Sequence, residues 1–148
     1  MTIHRYKRAQ HPRSEAHRDF DDFVKGYVAC LLWTGHDESA ESGGVPLDKN
    51  YSASDITSET MKKIKRDCAE FMKVNKVDLA QYAAKRSYNP AEGTAMDYAG
   101  HDFCLTRNGH GAGFWDRGLG DLGQRLTEAS KKFGEQNLYV GDNGKLYV

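Results

Sequence analysis

No run in this chain approaches the roughly eighteen consecutive apolar residues of a membrane-spanning helix, so no membrane partner is expected. Charge of one sign is missing too: 21 Lys and Arg stand against 21 Asp and Glu, for a formal net charge of zero. A neutral chain gives no electrostatic case for a general nucleic-acid binder, nor for an acidic mimic of DNA. Cysteine is scarce. Cys30, Cys68 and Cys104 are odd in number and far apart, which argues against a disulfide framework and a CxxC zinc site. They read as buried, reduced thiols of a cytoplasmic protein. The opening MTIHRYKRAQHPRSEAHRDF is basic and polar and lacks the apolar core of a secretory signal. Internal repeats and low-complexity tracts are lacking as well.

What is present is a globular composition, 39% hydrophobic and 28% charged, in 148 residues that suit one domain with a real core. A flexible basic arm is expected over 1–13, where Arg5, Lys7, Arg8 and Arg13 fall and Pro12 breaks any regular run; a single globular domain is expected over 14–148. The expected fold is mainly α (α+β): a compact bundle of about five helices with a C-terminal β-hairpin.

Phe20, Phe23, Val24, Tyr27, Val28 and Leu31 recur at three and four residues and predict a first helix over 17–34, its stripe widened by Leu32 and Trp33. Residues 35–55 read as a long Gly/Ser/Asp loop whose acids Asp37, Glu38 and Glu41 face water. A second helix starts near Ser54 or Asp55 and runs to Lys73, with Met61, Ile64, Cys68, Phe71 and Met72 inward and Lys62, Lys63, Lys65 and Arg66 opposite. Those bases are read as a solvated face, with a phosphate-backbone contact as the sharper alternative. Asn75 is expected to cap a third helix ending near Tyr88. The fourth has the clearest start signal, Asn89 as cap, Pro90 at N1 and Glu92 at N3, and runs to Asn108 and Gly109. Leu119, Leu122, Leu126, Ala129 and Phe133 mark a fifth, stopped by Gly134. Gly141-Asp142-Asn143-Gly144, between two apolar runs, predicts the hairpin.

The stretch HDFCLTRNGHGAGFWDRG, His101 to Gly118, concentrates the chemistry. It begins on the fourth helix and ends in a glycine-rich loop. Asp97 and His101 are four apart, so the carboxylate can orient the ring and raise its pKa. Asp102 points about 100° round from His101. His110 sits between two glycines that can expose amide N–H groups to an anion. Arg107 and Arg117 bracket the loop and can clamp a phosphate or carboxylate. Asp116 can pair with His110 for acid–base work. The candidate binding or catalytic residues are therefore His101, Asp102, Arg107, His110, Asp116 and Arg117. Phe114 and Trp115 are candidate interface residues, with a plug between helices as the plainer reading of both. The stretch lacks the GK[ST] ending of a P-loop, and no strand precedes it as a dinucleotide fingerprint requires. His101 and His110 with an aspartate match no compact ligand signature, so neither metal nor cofactor is expected. Cys104, three residues from His101, is the only nearby thiol and reads as core.

AGHDFCLTRNGHGAGFWDRGLGDLGQRLTEASKKFG followed by LYVGDNGKLY resembles a family of small proteins encoded by bacteriophages and mobile elements, and VACLLWTGHDESAESGGVPLDKNYSASDI fits the same group. The resemblance spans most of 23–148. It implies a phage or prophage setting and transfers no catalytic residues. Small phage proteins often modify or inhibit host machinery, so the expected function is an accessory protein of the host cytoplasm that binds and modulates a host protein, such as a defence component. The alternative is an enzyme or binding domain for a phosphorylated, nucleotide-like small molecule using the 101–117 loop. DNA binding through the arm and the second-helix lysines is the weakest of the three.

Overall fold

A computed structural model describes residues 14–39, 41 and 43–148; the basic arm expected over 1–13 lies outside them. Among the described residues the fold is mainly α, with five α-helices, short 3-10 turns and a small C-terminal antiparallel sheet. No helix of the described residues is long and apolar enough to cross a membrane.

Helix α1 spans Glu15–Thr34, opened by the Ser14 hydroxyl, which accepts the His17 N–H. Its stripe buries Phe23, Val24, Tyr27, Val28 and Leu31 as the spacing predicts, and Leu32 joins them. Trp33 does not: it is 55% exposed. The 35–55 connection carries some order of its own. His36 bridges Pro46, Leu47 is fully buried, and 3-10 turns form over Leu47–Lys49 and Ala53–Asp55. Asp37 does not face water as expected; it is buried, and its carboxylate accepts the Ser39 N–H.

Helix α2 spans Ser58–Val74 and starts later than expected. Ser52 and Asp55 form a capping box on the preceding 3-10 turn, and Thr57 caps the helix instead. Ile64, Cys68 and Phe71 are buried, while Lys62, Lys63, Lys65 and Arg66 are exposed. Helix α3 spans Lys76–Lys85. Asn75 does not cap it with its side chain; the Asn75 amide turns back to donate to the Phe71 carbonyl and closes α2.

Helix α4 spans Ala95–Arg107, five residues beyond the expected N1 at Pro90. Asn89-Pro90-Ala91-Glu92 forms a turn, with the Asn89 side chain accepting the Ala91 N–H and its carbonyl accepting the Glu92 N–H. Thr94 and Asp97 then make a complete capping box. Helix α5 spans Asp121–Lys131. Strands β1, Tyr139–Val140, and β2, Leu146–Tyr147, pair antiparallel as the expected hairpin. Leu138 and Leu146 are buried, and the Thr57 N–H donates to the Leu146 carbonyl, so the hairpin lies on the helices.

The framework for the site is α1 against α4, the most extensively packed pair of elements. Two glycines permit their close approach. A Cβ on Gly26 would lie 1.9 Å from the Asp97 carbonyl oxygen, and one on Gly100 would lie 1.9 Å from that of Phe23. Around this crossing Phe71 stacks on Phe103 with centroids 4.2 Å apart, and Phe23, Phe114 and Phe133 complete an aromatic core.

Candidate functional site

The end of α4 explains why the 101–118 stretch is rich in glycine. The Gly109 N–H donates to the Thr106 carbonyl and the His110 N–H to that of Leu105, with Gly109 at φ 68. This is a Schellman cap, and its left-handed position favours glycine. Gly113 serves another need: a Cβ there would meet the Thr106 hydroxyl at 2.3 Å. That hydroxyl accepts the Phe114 N–H at 3.0 Å and starts the 3-10 turn Phe114–Asp116. Phe114 is fully buried against Phe71 and Tyr82, so it is a plug and offers no interface; the aromatic core claims it. Trp115, next in the chain, is 51% exposed.

The plug fixes Arg117, which reaches Asp102. That carboxylate, 1% exposed, is the centre of the site. Its Oδ1 accepts Arg117 through Nε at 3.1 Å and Nη2 at 2.7 Å. Its Oδ2 accepts the Tyr82 hydroxyl at 2.7 Å and Arg86 Nε at 3.2 Å. One buried negative charge thus holds two guanidinium groups, which offsets its desolvation. Burial works against the Arg117 charge, and the Asp102 carboxylate outweighs it, holding the guanidinium above its ordinary pKa. Burial pushes the Tyr82 phenol up, and the carboxylate beside it pushes the same way, so Tyr82 stays a donor.

Two clefts adjoin this cluster. One, of about 370 Å³, is lined by Lys25 and Ala29 of α1, by Arg86 and Tyr98, and by His101 and Arg117. Asp102 forms part of its wall, and Glu92 and Asp97 add acidic groups. The other, of about 480 Å³, is lined by Trp33 and Thr34, by His101 and Leu105, and by His110 and Arg117; no carboxylate lines it. His101 and Arg117 belong to both. The Trp33 and His101 rings meet at 5.7 Å between centroids. Arg117 Nη1 makes no hydrogen bond among the described residues, and His110 Nε2 is buried without a partner. Buried polar atoms are normally satisfied, and the His110 ring, which lines the second cleft, has no hydrogen bond among the described residues to hold it as it stands.

The structure therefore brings His101, Asp102, His110 and Arg117 to one region and leaves two candidates outside it. Arg107 turns into the core on another side of α4. It donates to the Tyr27 hydroxyl, to Asp67 at 3.0 Å, and to the carbonyls of Phe133 and Gly134. It cannot clamp a ligand with Arg117, because all three guanidinium nitrogens tie α4 to α1, α2 and the end of α5. Asp116 is exposed and makes no hydrogen bond with His110. Asp97 does not orient His101 either, since its carboxylate serves the capping box. The His101 pKa is lowered, not raised: burial dominates, and the pull of Asp102 does not overcome it. Cys104 is buried, and burial with Cys30 beside it holds its thiol far above the ordinary value, so it is no activated nucleophile. Among the described residues no three His, Cys, Asp or Glu gather as a metal site.

Lys25, Trp33, Tyr82, Arg86 and Tyr98 are the site residues that sequence reasoning missed. One signal was readable: Tyr82 and Arg86 are four apart, so they share a helical face. No protein-family model, curated protein or solved structure matches the chain.

Proposed function

We propose that this chain binds a small phosphorylated molecule where its two clefts meet, with His101 and Arg117 holding the anion. The supporting observation is the arrangement at Asp102. A buried carboxylate oxygen accepts both Nε and Nη2 of Arg117, so the guanidinium is held in place and the remaining Nη1 amine loses little freedom on binding. Net charge does not carry the reading, because Lys25, Arg86 and Arg117 in the first cleft are balanced by Glu92, Asp97 and Asp102. Position does: Asp102 is spent on the arginines, Asp97 on the helix cap, and the second cleft has no acid. Calorimetric titration of the full chain with inorganic phosphate and ribose 5-phosphate tests this. Saturable binding that weakens with salt is expected. Absence of heat up to about 10 mM ligand, weaker than any useful affinity for such a site, sinks it.

A second reading is favoured by one observation. Trp115 stands half exposed on a turn made rigid by Phe114, the form of an interface anchor. It suits a phage or prophage accessory protein that binds and modulates a host protein in the host cytoplasm. A host protein retained by the chain and lost with Trp115→Ala supports that reading; equal retention by the variant removes it. For the DNA reading only the exposed basic side of α2 remains within the described residues, and Lys62 there already pairs with Glu59.

A further inference from the structure

We infer that the second cleft is a nucleobase pocket, so that the phosphorylated ligand is a nucleotide. This rests on the anion reading above and extends it. The cleft differs from its neighbour in having an indole in its wall. Trp33 lies on the last turn of α1, 55% exposed, although Phe23, Val24, Tyr27, Val28, Leu31 and Leu32 of that stripe are buried. Among the described residues its one ring partner is His101, so the aromatic platform adjoins the group that meets the phosphate. An exposed indole that packs in no core is the feature on which a base stacks.

The second observation is independent of the first. His110 contributes an imidazole nitrogen that is buried in the fold and has no hydrogen-bond partner. The Schellman cap fixes the backbone beneath it through the His110 N–H to Leu105 carbonyl bond. An imidazole nitrogen can donate or accept according to the tautomer, and base edges carry both donors and acceptors. The cleft thus has a stacking face, a His110 ring that can turn a nitrogen to a base edge without breaking a hydrogen bond to any described residue, and a shared cationic end at Arg117 for the phosphate. No carboxylate of the described residues lines this cleft, and the Asp102 oxygen behind Arg117 is occupied by its Nε and Nη2.

The test is calorimetric titration of the full chain with ribose 5-phosphate and with the four common nucleoside 5′-monophosphates. At least one nucleotide is expected to bind about tenfold more tightly than ribose 5-phosphate, the size of one base–aromatic stack. Trp33→Ala is expected to erase the difference between the nucleotide and ribose 5-phosphate, since any change passed on through the His101 ring falls on both ligands alike. His110→Ala is expected to weaken the nucleotide alone. Trp33→Leu, which keeps apolar volume, serves if Trp33→Ala fails to fold. Equal affinities for ribose 5-phosphate and all four nucleotides overturn the base pocket and leave the anion site standing. A preference that survives both Trp33 variants also overturns it. No binding by any of the compounds removes both readings.

Discussion

Two guanidinium nitrogens of Arg117 converge on one oxygen of Asp102 across fifteen residues of sequence, and Arg86 and Tyr82 occupy the other carboxylate oxygen. The pair joins α3, α4 and the loop before α5 at one buried atom group. Removing the carboxylate leaves two guanidinium groups facing each other without compensation. Asp102→Ala is therefore expected to lower stability by about 3–5 kcal/mol, the range for breaking a buried pair from one side. Urea unfolding measures it. A loss below about 1 kcal/mol, typical of a surface pair, would show that Asp102 is not the organising charge.

The crossing of α1 and α4 makes a second prediction. A methyl on Gly100 would fall 1.9 Å from the Phe23 carbonyl oxygen and 2.9 Å from the Tyr27 nitrogen, both backbone atoms. Backbone cannot swing aside as a side chain can, so the helices must separate. Gly100→Ala is expected to cost about 3 kcal/mol or more, the upper part of the range for overpacking, although alanine is the better helix former. Gly118 offers the contrast: it is exposed and nothing lies near its Cβ, so alanine there pays only for φ 68, about 1 kcal/mol. Thermal unfolding of both variants would rank them, and the reverse order would contradict the crossing.

These glycines show where sequence reading stops. The stripes of α1 and α2 were legible because Phe23, Tyr27 and Leu31, or Ile64, Cys68 and Phe71, obey the helical period whatever they pack against. Gly26 and Gly100 acquire meaning only as a pair, and no local pattern pairs them. The start of α4 was misread for a different reason. Asn89-x-x-Glu92 and Thr94-x-x-Asp97 are both capping patterns five residues apart, and the chain uses the first for a turn and the second for the helix. At the site, the density of His, Asp and Arg in 101–118 pointed to the right segment. It could not separate Arg107, a core tie, from Arg117, because each direction is set by partners far off in sequence.

Arg107 supplies the third prediction. Its guanidinium is nearly fully buried, and it satisfies the Phe133 and Gly134 carbonyls that follow α5 as well as Asp67 and the Tyr27 hydroxyl. Arg107→Met keeps the stem but orphans those acceptors, so a loss of about 3–5 kcal/mol is expected, as for other buried charge partners. The same variant is expected to leave ribose 5-phosphate binding unchanged under conditions where it is folded. Loss of binding in a folded Arg107→Met protein would return Arg107 to the site.

The last prediction concerns pH. His101 has its pKa lowered by burial, so in the window just below the ordinary value of 6.5 the unfolded chain binds more protons than the folded one. Its contribution to stability is thus present above pH 6.5 and is lost as pH falls toward the lower folded value. An anion beside the ring reverses the preference, since it favours the imidazolium. Binding must then take up a proton, and affinity must rise as pH falls through this window. Sulfate is the suitable probe, because a phosphate monoester itself titrates near pH 6. Titrations in buffers of differing ionisation enthalpy are expected to show proton uptake on sulfate binding at pH 6.5, and His101→Gln is expected to abolish it. Sulfate binding without proton uptake would place the anion away from His101 and shift the site toward Lys25 and Arg86 in the first cleft.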